Sequence, residues 1–297
     1  MDIIFMGTPF YATVILEALL QHHQVKALVS QGDKRSGRSL RIKMPPTKEL
    51  ILKKGINIPI FQTFDEAVFE ELEKISCDMI IVAAFGRILP RRILQRFPCI
   101  NLHASILPKF RGASPIQASI LKDEPYFGVS VMKMEEGLDC GDILGMKVIK
   151  NKGQDSVLLL EELSKLAASL ILEFLQRKNI VALKQLECES SYCKKIKKEF
   201  GEVAFQDAKE MVLKSLAYEG WPGIFLKNGL KMKGLTLEEM SSVNQAGKIL
   251  KVTQERILVG AKRGSVWIEF LQASSKSMVS AYQYLQGKRL KEGDFIE

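Results

Sequence analysis

Asn101 and His103 stand two residues apart in Cys99-Ile-Asn-Leu-His103. On a strand that spacing turns both side chains to one face, toward one volume. Further along, Gly137-Leu-Asp139-Cys-Gly141-Asp142 offers two carboxylates in a glycine-flanked loop. An amide can donate to a developing oxyanion, an imidazole can donate or carry protons, and a carboxylate can orient the imidazole or take a proton. Taken singly, a buried histidine or a strand asparagine has a structural explanation. The three together point to catalysis, and we assign Asn101, His103 and Asp139 to it. Asp142 reads as a structural loop cap and Cys99 as core.

The elements that must position these residues are those of an α/β sheet. The run 99–103 is short and apolar, as suits a buried parallel strand. It leads into Ser105, Pro108 and Gly112, a turn-rich segment where a strand leaves the sheet. Ligands of open α/β sheets bind beyond the carboxyl ends of strands. Upstream, residues 2–6 form a strand, Gly7-Thr8-Pro9 a turn and 12–21 a helix. One glycine is too few for a dinucleotide fingerprint, so NAD binding is unsupported. Strands follow at 25–30, 58–61 and 78–83, the last ending in Ala84-Phe85-Gly86 at the same sheet edge as Asn101. Helices are expected over 47–54, 65–76, 90–96 and 115–121. Residues 128–134 and 143–150 read as strands, and Asp155 caps a long helix to about 177. An irregular basic loop is expected over 31–46.

The stretch 181–200, with Ser190-Ser191 and Lys194-Lys195-Ile-Lys197-Lys198, reads as a linker. From 201, apart from a helix near 207–219, short strands alternate with turn signals, as in a small β-barrel. The expected organisation is a Rossmann-like catalytic domain over 1–180 with a parallel-rich sheet, the linker, and a barrel domain over 201–297.

Composition narrows the class. The chain has 297 residues, 46% hydrophobic and 26% charged, enough for two ordinary globular domains. No apolar run approaches the ~20 residues of a membrane helix. The start lacks a signal-peptide core, and five cysteines without a CxxC pair suit free thiols in a reducing cytoplasm. No metal is expected, because His22 and His23 are unsuited to joint ligation with His103. The net charge is +9, and residues 33–54 hold eight basic against two acidic residues. Such a concentration fits a polyanionic partner.

Asn101-x-His103-x-Ser105-x-Leu107-Pro108, then Arg111-Gly112 and Gly137-Leu-Asp139-Cys-Gly141-Asp142, resembles the active-site signature of folate-dependent formyltransferases. Phe5-Met-Gly-Thr-Pro9, the basic loop, Tyr192-x-Lys-Lys-Ile196 and Gly220-Trp-Pro-Gly223 resemble the branch that acts on methionyl-tRNA. Cys140 stands where that family usually has threonine. The resemblance implies transfer of formyl from 10-formyltetrahydrofolate to the amine of initiator methionyl-tRNA. It implies that the C-terminal domain resembles an OB-fold and contacts the tRNA, and that the catalytic domain holds the folate. Ser105, Ile106, Leu107 and Pro108, with Phe85 and Gly86, are assigned to the pterin, read by backbone groups. Arg38, Arg41 and Lys43 are assigned to the acceptor stem, Arg38 foremost. A monomer is expected.

Rivals are a formyltransferase for a small acceptor such as glycinamide ribonucleotide or an amino-sugar nucleotide, a formyltetrahydrofolate hydrolase, and a non-catalytic RNA-binding module. Residues 200–297 speak against the first acceptor. The basic loop speaks against the sugar nucleotide and the hydrolase, and the intact trio against the module.

Overall fold

The computed structural model describes residues 1–36 and 41–296. The chain divides into two compact units. The first comprises residues 1–115, 125–151 and 159–194, and the second residues 116–124, 152–158 and 195–297.

In chain order the elements are β1 (Asp2–Gly7), α1 (Phe10–His22), β2 (Gln24–Val29), β3 (Lys34–Ser36), β4 (Arg41–Lys43), α2 (Pro46–Lys53), β5 (Ile60–Phe61), α3 (Glu66–Lys74), β6 (Met79–Ala83), α4 (Arg91–Arg96), β7 (Cys99–His103), β8 (Arg111–Gly112), α5 (Pro115–Leu121), β9 (Tyr126–Lys133), β10 (Ile143–Lys150), α6 (Ser156–Gln176) and β11 (Tyr192–Cys193). A seven-stranded sheet runs in the order β10-β9-β7-β6-β1-β2-β5. Its β1, β2, β5, β6 and β7 pair in parallel, whereas β9 and β10 are antiparallel.

The apolar runs explain the layering. Ile3, Ile4, Phe5 and Met6 of β1 are all fully buried, as expected for a strand covered on both faces. Gly7 then lets the chain turn tightly into α1, since a Cβ there would stand 2.6 Å from both the Ala83 carbonyl and Ala12 Cβ. Asp65 caps α3 by accepting from the Val68 amide at 3.2 Å. Asp155 caps α6, accepting from Val157 and Leu158 at 2.9 Å each. No helix among the described residues is long and apolar enough to cross a membrane.

Two expectations need correcting. The segment 31–46 is not irregular throughout: β3 and β4 form an antiparallel hairpin, with Lys34 opposite Lys43 and Ser36 opposite Arg41. The signals that read as irregular, Ser36-Gly-Arg-Ser39 and Pro45-Pro46, leave residues 34–36 and 41–43 free to pair. Arg38 lies outside the described residues. Nor is 181–200 a bare linker. Leu183 bridges Ile143, and β11 lies parallel to β8, pairing Tyr192 with Arg111 and Cys193 with Gly112. The chain crosses from the first unit to the second at 194/195.

The second unit continues with α7 (Ala208–Ala217), β12 (Ile224–Phe225), β13 (Lys231–Glu239), β14 (Ile249–Val252), β15 (Ile257–Gly260), β16 (Ser265–Gln272), β17 (Val279–Ser280) and α8 (Ala281–Lys288). Its antiparallel sheet has the order β12-β13-β16-β15-β14, with β17 on β16. Val259, Val266, Ile268 and Leu271 are fully buried at its core. The helix α8 was not expected. Its signal is Ser280, which caps it by accepting from the Gln283 amide at 3.2 Å.

Candidate active site

β7 lies between β6 and β9, so its side chains are held from both flanks. Asn101 is in register with Val82 and Met132, and His103 with Ser130. Asn101 is the middle residue of β7 and His103 its last, at the end where the parallel strands finish. The loop 134–142 returns over this edge, and Asp139 closes on it.

The structure brings the three groups together. Asn101 Nδ2 donates to Asp139 Oδ1 at 3.3 Å. His103 Nδ1 is 3.6 Å from Asp139 Oδ2. The backbone amide of Gly112 donates to the same Oδ2 at 2.8 Å. His103 Nε2 stands 2.8 Å from the Phe110 carbonyl. A carbonyl only accepts, so Nε2 carries a proton there. His103 is 5% exposed, and this tether fixes its ring with the Nδ1 edge toward the carboxylate.

Asp139 is held in an unfavourable conformation, at φ 50°. A non-glycine residue in the left-handed region costs on the order of 1–3 kcal/mol and persists only where its surroundings over-determine it. Those surroundings are visible. Gln185 Nε2 donates to the carbonyls of Asp139 at 3.0 Å and Gly141 at 2.7 Å. Its Oε1 accepts from Arg111 Nε at 3.0 Å. Arg111 is 1% exposed, and its Nη1 reaches Glu187 Oε2 and the Tyr192 hydroxyl, each at 2.9 Å. Burial opposes the Arg111 charge, but Tyr192 and Glu187 outweigh it and hold its pKa above the ordinary arginine value. Gly112 must be glycine: its φ is 112° and a Cβ would collide with the Cys193 carbonyl.

The segment after β7 spends many of its polar groups on itself. Ser105 is buried, and its Oγ donates to the Lys109 carbonyl at 2.6 Å. Ser130 Oγ donates to the Ser105 carbonyl at 2.8 Å and accepts from the Leu107 amide at 3.1 Å. The Ile106 carbonyl accepts from the Lys109 amide at 3.1 Å, and the Leu107–Pro108 bond is cis. Ile106 and Pro108 are half-buried and Leu107 is buried. From the neighbouring strand β6, Phe85 turns its ring into the core, edge-on to Phe64 at 5.0 Å. Gly86 beside it is exposed at φ 73°. Residues 105–108 follow β7 and Phe85–Gly86 follow the adjacent β6, so both segments leave the same edge of the sheet.

Arg41 and Lys43 lie on the hairpin strand β4, with Lys43 exposed. Cys99 is core: burial pushes its thiol up to about 12. Among the described residues, no three His, Cys, Asp or Glu side chains converge as a metal ion would require. Sequence reasoning missed Ser130, Gln185 and the buried role of Arg111. Arg111 carried a signal, being a charged residue inside an apolar and glycine-rich segment. Gln185 carried none.

Known proteins agree with this architecture. A profile described as "Formyl transferase" matches residues 1–172, and one described as "Formyl transferase, C-terminal domain" matches residues 195–289. The chain belongs to the formyl transferase family. Within it, the methionyl-tRNA formyltransferase of Nitratiruptor sp. is 47% identical over 99% of both chains. That of Wolinella succinogenes is 46% identical, again over 99% of both. In fold the chain is similar to HypX from Aquifex aeolicus, determined in complex with tetrahydrofolic acid, with TM-score 0.65 and 18% identity. That likeness covers 99% of this chain and about half of HypX, 50% of its length.

Proposed function

We propose that this protein transfers the formyl group of 10-formyltetrahydrofolate to the amino group of initiator methionyl-tRNA, giving formylmethionyl-tRNA for translation initiation. The observation that carries the reading is the meeting of Asn101, His103 and Asp139 at one sheet edge, in a chain nearly half identical to methionyl-tRNA formyltransferases along its whole length.

The chemistry follows from the groups present. The aminoacyl amine forms a bond to the formyl carbon, the bond from that carbon to the folate nitrogen breaks, and one amine proton ends on that nitrogen. The folate supplies the activated formyl group. Asn101 holds one N–H on Asp139 and turns its second to the formyl oxygen, stabilising negative charge as it develops. Asp139 accepts the amine proton, directly or through a water, and its carboxylate faces Nδ1 of His103. His103, tethered through Nε2, exchanges protons at Nδ1. The buried setting strengthens each of these interactions relative to water.

The folate ring sits against Ile106, Leu107 and Pro108 on one side and the backbone of Phe85 and Gly86 on the other, with Ser105 shaping the loop. The basic stretch 31–46, with Arg38, Arg41 and Lys43, takes the acceptor stem of the tRNA, Arg41 and Lys43 mainly at phosphates. The unit beginning at Lys195 adds further tRNA contacts. The enzyme works as a monomer, and in the cytoplasm, a reducing compartment that its free cysteines suit.

The deciding experiment offers 10-formyltetrahydrofolate with charged initiator tRNA, elongator tRNA, an amino-sugar nucleotide or water alone. Formyl transfer selective for the initiator is expected. Release to water alone, preference for the sugar nucleotide, or no turnover would overturn the reading.

A further inference from the structure

We propose that Gln185 is a positioning residue for the reaction: it holds the Asp139 loop in its left-handed conformation and so aims the carboxylate at Asn101 and His103. The inference rests on the catalytic reading of Asp139.

Gln185 is 8% exposed, and the whole amide is engaged. Both donor bonds end on the loop itself, at the carbonyls of Asp139 and Gly141. Its one acceptor is held by Arg111. The Asp139 carbonyl belongs to one of the two peptide units that set the Asp139 backbone, which stands at φ 50°, and the Gly141 carbonyl pins the loop two residues further on. Released from Gln185, the loop gains freedom to relax toward ordinary backbone conformations. The carboxylate would then swing away from Nδ1 of His103 and from the Gly112 amide.

Arg111 ties the other side of the same arrangement. Its backbone amide donates to the Ser191 carbonyl at 2.8 Å, and the next residue, Gly112, supplies the amide that holds Asp139 Oδ2. One glutamine, far from β7 in sequence, thus connects the strap 183–194 to both sides of the carboxylate. A displacement near 1 Å at a reacting group can cost on the order of 10²-fold in rate.

The test is a mutant cycle on the full chain, read by single-turnover formyl transfer to methionyl-initiator tRNA with enzyme in excess. Gln185→Met removes both donors at similar length. We expect a fall of about 10²-fold in the single-turnover rate with KM for either substrate within about twofold of wild type. Asp139→Asn alone should lose at least as much. In that background Gln185→Met should lower the residual rate by less than about threefold, because its effect runs through the missing carboxylate. A merely structural glutamine would cost the same factor in both backgrounds, and that result overturns the proposal. So does an unchanged rate in the single variant. Near-normal turnover of Asp139→Asn would instead overturn the catalytic reading beneath it. Should Gln185→Met fail to fold, Gln185→Asn, which keeps the amide but withdraws it by one methylene, carries the same cycle.

Discussion

The candidate active site and the basic hairpin belong to the same unit yet manage charge in opposite ways. At the site, polar groups are answered from within: Asp139 by Asn101 and Gly112, His103 by Phe110, Arg111 by Gln185, Glu187 and Tyr192. Among the described residues, no buried side-chain nitrogen or oxygen lacks a partner. In the hairpin, the ladder sets Lys34 directly opposite Lys43, a like-charge pairing that destabilises a two-stranded ribbon. Preorganised dipoles suit chemistry, because nothing has to reorient as charge develops. Uncompensated cations suit capture of a polyanion, because the partner supplies the missing charge.

Removing the carboxylate or the ring should separate the regions most sharply. Asp139→Ala and His103→Ala should each lower turnover by roughly 10²–10⁴-fold while leaving the affinity for tRNA near wild type, measured by single-turnover kinetics and filter binding. A variant that kept most of its turnover would remove that residue from the mechanism. Asn101→Ala should follow, with a loss on the order of 10²–10³, visible in kcat and kcat/KM alike. A rise in KM alone would make Asn101 a binding group.

The hairpin should answer differently. Lys34→Ala with Lys43→Ala should leave the melting temperature unchanged or raised, since two repelling charges disappear. The salt dependence of tRNA binding should flatten by roughly one unit of log–log slope per lysine that neutralises a phosphate. The dissociation constant for the folate donor should not move. Equal loss of folate and tRNA affinity would break the division between the two regions.

The sequence made the chemistry legible where periodicity and residue type agree. The two-residue spacing of Asn101 and His103 on an apolar strand and the glycine-flanked Asp139 were enough to predict that the three meet. The supporting contacts were not legible, because they depend on register between distant segments. Nothing local marks Gln185, whose partners are the main-chain carbonyls of Asp139 and Gly141. The stretch 181–200 read as a linker because it is polar, yet its ladder with Arg111 and Gly112 uses backbone atoms that any sequence has. The hairpin was hidden for a related reason: each strand is only three residues long, too short for an alternating pattern to show, and pairing makes 34–36 and 41–43 strands. Phe85 was placed at the ligand by its position after β6, but its ring faces the core and only its backbone remains for that role.

The smallest expected effect tests how the site's outer support is charged. Glu187 is 72% exposed at its side chain but accepts from Arg111, which is 1% exposed. The Arg111 hydrogen bond holds the Glu187 carboxyl below the usual carboxylate range. A depressed folded-state pKa contributes stability above the unfolded value, about 4.3 for glutamate, and that contribution is lost as pH falls through the folded value. Wild type should therefore melt slightly above Glu187→Gln at pH 7, and the gap should close below about pH 4. Other carboxylates titrate in both proteins and cancel in the difference. The gap should be small because water screens the exposed partner and because Gln185 and Tyr192 still hold Arg111. Thermal melts of both proteins at several pH values measure it directly. A gap that persists or widens in acid would mean that Glu187 supports the strap by packing and not by its charge, leaving Arg111 anchored through Gln185 and Tyr192 alone.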